Sequence, residues 1–111
     1  MTCDQWDVVA VPFPFSESSG AKRRPAVVLS GRTFNNAGHV VLAMVTTQQH
    51  RPWPGDTPVA DIDRAGLPRP CIVRLKLFTL DARLIARRLG TLGTDDIAAV
   101  RASLRTYLSC D

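Results

Sequence analysis

Short apolar runs rich in β-branched residues, separated by loops that carry proline and glycine, make up most of the chain. Val8 to Val11 and Ala26 to Leu29 are each apolar throughout, and each predicts a buried strand. The longer run from His39 to Thr47 predicts a third strand that is covered on both faces. Shorter strands are predicted around residues 57–62, 71–75 and 84–89, the last two joined by a turn at residues 80–82.

The last segment of the chain has a helical rather than a strand period. Thr94 can cap a helix, and Asp95 and Asp96 suit its positive N-terminal end. Five apolar residues then fall on one stripe: Ile97, Val100, Leu104, Tyr107 and Leu108. The pattern therefore predicts one mainly β domain over residues 1–111, in which a C-terminal helix packs on the sheet.

The loop between the first two predicted strands ends in a group of cations. Pro12 and Pro14 bar a regular central ladder, and Ser16 to Gly20 provide turn residues, which predicts an extended loop. This loop runs into Lys22-Arg23-Arg24-Pro25, where the second strand begins. Fixed positive charge is therefore expected at the rim of the sheet, where a phosphate could be held.

Composition and charge narrow the classes of function. The chain has 111 residues and a net charge of +4, which favours a polyanionic partner, either nucleic acid or an acidic protein. Its three cysteines are widely spaced, and no acidic or Cys/His residues recur at metal-ligand spacing, so we predict no disulfide framework, no metal and no cofactor. No apolar run approaches the roughly 20 residues of a membrane span, and the N-terminal MTCDQWD lacks the cations of a secretion signal. A cytoplasmic protein is expected.

Six motifs occur in an order that resembles the MazF/PemK/Kid family, the endoribonuclease toxins of bacterial type II toxin-antitoxin systems. They are DVV at residues 7–9, PFPF at 12–15, SGAKRRP at 19–25, MVTTQ at 44–48, GLPRPCIVR at 66–74 and KLFTLD at 76–81. Together they cover nearly the whole chain. The resemblance implies the CcdB/PemK-like toxin fold, which is an SH3-like small barrel with a C-terminal α-helix. It also implies a homodimer that is silenced by a cognate antitoxin protein.

The resemblance places the family's catalytic arginine at Arg24 and its catalytic threonine at Thr46. Cleavage of RNA by its own 2′-hydroxyl requires stabilisation of the negative charge that builds on the phosphate. The guanidinium of Arg24 matches two phosphate oxygens, and Pro25 stiffens the backbone behind it. Thr47 is the adjacent alternative to Thr46, because successive strand residues point to opposite faces and only one is expected to point at the site.

Several further residues are candidate RNA contacts: Lys22, Arg23, Thr47, Gln48, His50, Trp53, Arg74 and Lys76. Trp53 could stack on an unpaired base or fold back on the domain. Arg74 and Lys76 are either phosphate contacts or ordinary outward-facing cations of a strand. Relatives close to Kid are thought to pair an arginine with an aspartate two residues later; Arg74 can match that arginine, but the carboxylate is missing.

The leading interpretation is a metal-independent, sequence-specific toxin that cleaves single-stranded RNA to a 2′,3′-cyclic phosphate and a 5′-hydroxyl. The antitoxin would be acidic and would cover the same groove. The alternative is a non-enzymatic toxin of the CcdB type, which has this fold and poisons DNA gyrase by binding it. A third possibility is a copy that binds antitoxin or RNA without cutting. The Arg24 and Thr46 pair favours the enzyme, because a gyrase binder does not need it.

Overall fold

The computed structural model describes residues 3–13, 22–47 and 51–109. This part of the chain forms six strands, three α-helices and one 3₁₀ turn at Ala82–Leu84. The strands are β1 (Asp7–Pro12), β2 (Arg23–Val28), β3 (His39–Thr47), β4 (Thr57–Pro58), β5 (Cys71–Asp81) and β6 (Arg87–Thr91). The helices are α1 (Arg32–Asn36), α2 (Ile62–Ala65) and α3 (Thr94–Leu108). The predicted loop at Ser16 to Gly20 lies outside the described residues.

All six strands form one antiparallel sheet in the order β4-β5-β3-β2-β1-β6. The longest pairing joins β3 to β5 and runs from His39 opposite Asp81 to Thr47 opposite Cys71. A bulge between Ala43 and Met44 interrupts its register. The sheet and the helix α3 confirm the prediction of a mainly β fold with a C-terminal helix.

Both faces of the sheet are covered, as the apolar run of β3 predicts. Val40 and Leu42 are buried in one cluster, together with Phe78. Ala43 and Val45 are buried in the other cluster, which includes Val8, Val27, Val73, Leu92 and the Val100 side chain of α3. Successive residues of a strand point to opposite faces, so a strand between two apolar layers must be apolar at nearly every position.

The C-terminal helix confirms most of the predicted stripe, with two differences. Val100 is fully buried, and Ile97 and Leu104 pack against the same cluster, but Tyr107 and Leu108 are 54% and 45% exposed. Among the described residues, then, the last turn of the stripe is not covered. Gly93, not Thr94, is the N-cap residue, so Thr94 is the first residue of the helix.

Several predicted boundaries were wrong because long-range pairing sets them. The predicted strand over residues 57–62 is only two residues long, and α2 begins at Ile62, where Asp61 accepts a hydrogen bond from the Arg64 amide. The predicted strand over residues 71–75 continues to Asp81, since β3 offers a partner along that whole length. The strand predicted at residues 84–89 begins at Arg87, and the segment between β2 and β3 contains the short helix α1.

Asp96 fastens α3 to the segment between β4 and α2. Its carboxylate is buried in the first turn of the helix and accepts hydrogen bonds from the amides of Ala60 and Asp61, at 2.8 and 3.0 Å. The neighbouring Asp95 is exposed. Both carboxylates lie near the positive end of the helix dipole, but of the two, Asp96 is the one that joins two elements.

Asp96→Ala is expected to lower the free energy of unfolding by about 1.5–3 kcal/mol, because the amides of Ala60 and Asp61 lose a buried, charged acceptor. Asp95→Ala is the matched control, since it removes an equal charge from the same helical turn without breaking these bonds. Urea unfolding of the two variants measures the difference. Equal destabilisation would show that the dipole, and not the hydrogen bonds, accounts for the effect of Asp96.

Candidate functional site

The pairing of β2 with β3 brings Arg24 and Thr46 together. Ala26 pairs with Met44 in antiparallel register, and Arg24 and Thr46 each lie two residues beyond this pair, towards the same end of the sheet. Ala26 is buried in the cluster against which Met44 packs, so the two-residue period also assigns Arg24 and Thr46 to one face of the sheet. The predicted pair therefore sits side by side where β2 begins and β3 ends.

Both side chains line a pocket of about 280 Å³ at this end of the sheet. Its lining comprises Arg24, Pro25, Val45, Thr46, Thr47, Leu67, Pro68, Arg69 and Cys71. Thr46 and Thr47 both belong to this lining, and which of the two hydroxyls faces the substrate stays a prediction. The pocket lies at the strand ends and is bounded by residues from both faces of the sheet. Arg24 is half-buried, whereas Lys22 and Arg23, which precede it, are exposed.

One side of this pocket is formed by Leu67, Pro68 and Arg69, which follow α2 in the chain. The end of α2 packs closely against β6. Gly66 ends α2 in the left-handed conformation, at φ 73°. A Cβ at this position would lie 2.1 Å from the carbonyl oxygen of Leu89, which no side chain can tolerate. This contact fixes the backbone that leads into Leu67, Pro68 and Arg69.

Arg69 is a pocket residue that the sequence interpretation did not select. It lies on the exposed loop before β5 and faces the pocket that contains Arg24. The signal that could have found it is the Arg-Pro pair at Arg69-Pro70, which repeats the pattern of Arg24-Pro25. Its position adds a second guanidinium to the pocket.

Cys71 also lines the pocket, and its thiol is a weak nucleophile. Burial raises the pKa of the Cys71 thiol, although the charge of Arg69 opposes the shift. The thiol donates a hydrogen bond to the Arg69 carbonyl at 3.3 Å. A thiol with a raised pKa is protonated at neutral pH, so Cys71 is a poor candidate for a nucleophile.

Arg74 is buried inside the protein instead of facing outward. Its side chain donates to both carboxylate oxygens of Asp56, at 3.0 and 2.9 Å, and to the carbonyl of Arg51 at 3.0 Å. Only 8% of Arg74 is exposed, so one of its two predicted alternatives, the ordinary outward cation, is wrong. Asp56 also provides the carboxylate partner that the sequence around Arg74 lacks. Contact of Arg74 with RNA stays a prediction.

Trp53 folds back onto β5 but keeps part of its ring accessible. Its indole N–H donates to the Leu75 carbonyl at 3.3 Å. The charged groups of Arg74 and Lys76 lie 5.8 and 5.6 Å from the ring centroid, within cation–π range. Since 39% of Trp53 is exposed, the packed position leaves a surface on which a base could stack.

Some predicted features lie outside this geometry. Gln48 and His50 are outside the described residues, and His39 is exposed at the start of β3, away from the Arg24 pocket. Within residues 3–13, 22–47 and 51–109, no three His, Cys, Asp or Glu side chains converge as metal ligands. None of the helices in these ranges is long and apolar enough to cross a membrane.

Solved structures of toxins share this fold. MazF from Deinococcus radiodurans is 25% identical, with a TM-score of 0.74 and coverage of 99% of each chain. The Mycobacterium tuberculosis toxin MazF-mt6 is 20% identical, with a TM-score of 0.75 and coverage of 95% of this chain and 98% of its own. A mycobacterial endoribonuclease in complex with its cognate antitoxin is 15% identical, with a TM-score of 0.74 and coverage of 99% of this chain and 96% of its own.

No curated protein matches the chain. The family of PemK-like, MazF-like toxins of type II toxin-antitoxin systems matches residues 4–108, which is nearly the whole sequence. The match agrees with the sheet order, with the C-terminal helix and with the ordered motifs of the sequence. This chain therefore belongs to the PemK-like, MazF-like toxins of type II toxin-antitoxin systems.

Proposed function

We propose that this toxin is an endoribonuclease that cleaves single-stranded RNA without a metal ion, leaving a 2′,3′-cyclic phosphate and a 5′-hydroxyl. The observation that carries the proposal is the meeting of Arg24 and Thr46 in one pocket. A guanidinium and a hydroxyl at adjacent strand ends form a set of donors for one phosphate group. The endoribonuclease activity of the mycobacterial relative supports the same reaction class.

In the proposed reaction the 2′-hydroxyl of one nucleotide attacks the phosphorus that follows it. The new O–P bond closes the cyclic phosphate, and the bond from phosphorus to the 5′-oxygen breaks. The 2′-hydroxyl loses its proton, and the leaving 5′-oxygen gains one. DNA lacks the attacking hydroxyl, so the reaction selects RNA by its chemistry.

Arg24 is assigned to charge stabilisation. The phosphorus centre carries extra negative charge as the five-bonded state forms, and two guanidinium N–H groups can donate to its oxygens. A pKa above about 12 in solution makes arginine a poor base, so its roles are stabiliser and proton donor. Within the described ranges no carboxylate forms an ion pair with Arg24.

Thr46 is assigned to the same phosphate. Its hydroxyl donates a hydrogen bond and thereby fixes the orientation of the group that Arg24 neutralises. Thr47 and Arg69 line the same pocket and are assigned to substrate binding. The other proposed RNA contacts are Lys22, Arg23, Gln48, His50, Trp53, Arg74 and Lys76.

The proposed regulation is competition by an antitoxin. A MazE–MazF complex from Deinococcus radiodurans, with a TM-score of 0.77 and 23% identity to this chain, and the mycobacterial complex both contain an antitoxin. An acidic antitoxin segment can occupy the arginines that would otherwise hold phosphates, because both ligands are polyanions. We propose that the toxin acts as a homodimer in the cytoplasm.

The test is incubation of the purified toxin with a long RNA in the presence of EDTA. Cleavage should persist in the chelator, and polynucleotide kinase should label the new 5′ ends without prior phosphatase treatment. A 2′-deoxy substitution at the mapped cleavage position should abolish the cut. Intact RNA together with inhibited DNA supercoiling would instead support a gyrase poison, and RNA binding without product would indicate an inactive copy.

A further inference from the structure

A second pocket, of about 380 Å³, adjoins the one that contains Thr46. Its lining comprises Ala10, Arg23, Arg24, Pro25, Ala86, Arg87 and Leu89. Arg24 and Pro25 line both pockets, so the two pockets adjoin at the start of β2, and together they are called the depression. The sequence interpretation did not select Arg87.

Strand pairing brings Arg87 to this depression. Ala10 of β1 pairs with Pro25 of β2 on one side and with Arg87 of β6 on the other. Arg87 therefore lies two strands away from Pro25, a distance of about 10 Å at the usual spacing. Arg23 lies two residues before Pro25 on β2, so Arg23 and Arg87 line the second pocket from the two strands that flank β1.

The floor and the rim of the second pocket differ in chemistry. Ala10, Pro25 and Ala86 form a floor of small side chains, which leaves the space open. Arg23 and Arg87 are both exposed at the rim. A small floor between two guanidinium groups suits a compact anion with several oxygen acceptors, and a phosphate is such a group.

The arginines of this depression also differ from others in the protein in their charge partners. Arg32, Arg74, Arg83 and Arg88 each form an ion pair with an aspartate. In the part of the chain that the structure describes, no carboxylate pairs with Arg23, Arg24, Arg69 or Arg87. Arg51, Arg64, Arg101 and Arg105 have no such partner in the described ranges either, so the depression is distinguished by the four arginines that line it together.

We propose that Arg23 and Arg87 bind the backbone phosphate of the nucleotide next to the one that is cleaved. This proposal rests on the proposed function, because it takes the pocket of Arg24 and Thr46 as the site of the cleaved phosphate. The nucleic-acid backbone then runs along the depression, with Arg24 between two successive phosphates. Because Arg24 and Pro25 line both pockets, an anion in the second pocket lies beside the proposed cleaved phosphate, which favours RNA over an acidic peptide.

The first test compares Arg87→Gln with the parent on short oligonucleotides that span the mapped cleavage position. The variant should show a fall of about tenfold or more in kcat/KM on an all-phosphate oligonucleotide, since a charged contact is lost. Two further oligonucleotides carry an uncharged methylphosphonate in place of the phosphate before or after the cleaved one. With one of these two, parent and variant should cleave at equal rates, because the group that Arg87 binds has gone.

Arg105→Gln is the matched control, since it removes the same charge from an exposed position on α3 away from both pockets. It should cleave all three oligonucleotides like the parent. The proposal is overturned if Arg87→Gln also cleaves like the parent, or if its loss is the same on all three oligonucleotides.

A binding measurement separates this proposal from the proposed function. Fluorescence anisotropy with an all-2′-deoxy oligonucleotide, which cannot be cleaved, gives affinity as a function of salt. Arg87→Gln should reduce the slope of log affinity against log salt by about 0.7, the value for one phosphate of a single strand, and Arg105→Gln should not. A reduced slope without RNA cleavage by the parent would support the phosphate site and refute the enzyme. An unchanged slope would refute the site. If only an acidic peptide displaces the labelled oligonucleotide, the pocket is instead a binding site for an antitoxin.

Discussion

Arg24→Ala is expected to lower kcat/KM for RNA cleavage by at least about 10²-fold, comparable with the removal of one oxyanion donor. The guanidinium meets the phosphate where negative charge increases during the reaction, so the loss should fall mainly on kcat. The measurement is single-turnover cleavage of a labelled oligonucleotide in EDTA. A parallel unfolding curve establishes that the variant is folded.

Two further variants test whether the parallel N–H donors of the Arg24 guanidinium are needed or only its positive charge. Arg24→Lys keeps the positive charge but loses the two parallel donors, and it should restore only part of the rate. Arg105→Ala removes an exposed cation of α3 and should cleave like the parent. If Arg24→Ala cleaves as fast as the parent, the assignment of Arg24 is wrong.

Arg74→Met should produce the largest loss of stability, about 2–4 kcal/mol in the free energy of unfolding. The substitution leaves the Asp56 carboxylate without the two hydrogen bonds that offset its partial burial, and it frees the Arg51 carbonyl. Removal of one partner from a buried ion pair costs far more than the pair contributes relative to apolar residues, because a lone charge remains. Urea unfolding measures the change.

The protein offers a matched control in its exposed ion pair of Arg83 and Asp81. Both pairs have an N–O distance of 2.9 Å, but the Arg83 side chain is 90% exposed and that of Arg74 only 9%. Hydrogen bonds from Arg83 lower the pKa of Asp81 to about 2, yet water competes for both groups, so Arg83→Met should change stability far less. Equal effects of the two substitutions would contradict a role for burial.

The same substitution should also loosen the segment before β4. Trp53 rests against the guanidinium of Arg74, and Asp56 accepts a hydrogen bond from the Trp53 amide at 3.0 Å. Loss of Arg74 should therefore raise the accessibility of Trp53 to acrylamide quenching, before any global unfolding. The measured tryptophan fluorescence also includes Trp6, but Trp6 is buried and acrylamide quenches it poorly.

The sequence alone determined the elements whose signals are local. The bounds of β3 match the apolar run from His39 to Thr47, and Val100 of the predicted helical stripe is buried. A strand that is buried on both faces must be apolar along its length, so its pattern can be read without knowledge of its neighbours. The cations at the start of β2 and the hydroxyls at the end of β3 were found in the same way, with the family resemblance to assign their roles.

Only the tertiary structure decided which distant residues meet. The pairing of Arg74 with Asp56 and the position of Arg87 beside the Arg24 pocket both depend on strand order and register. The sequence interpretation left Arg74 as either a phosphate contact or an outward cation and did not predict its burial, because its alternation with apolar neighbours is the same whether or not a loop folds over it. The alternation of apolar and polar residues indicates which face of a strand a residue occupies. Which strands lie next to each other depends on the free energy of the whole packed sheet, and a local pattern does not contain that information.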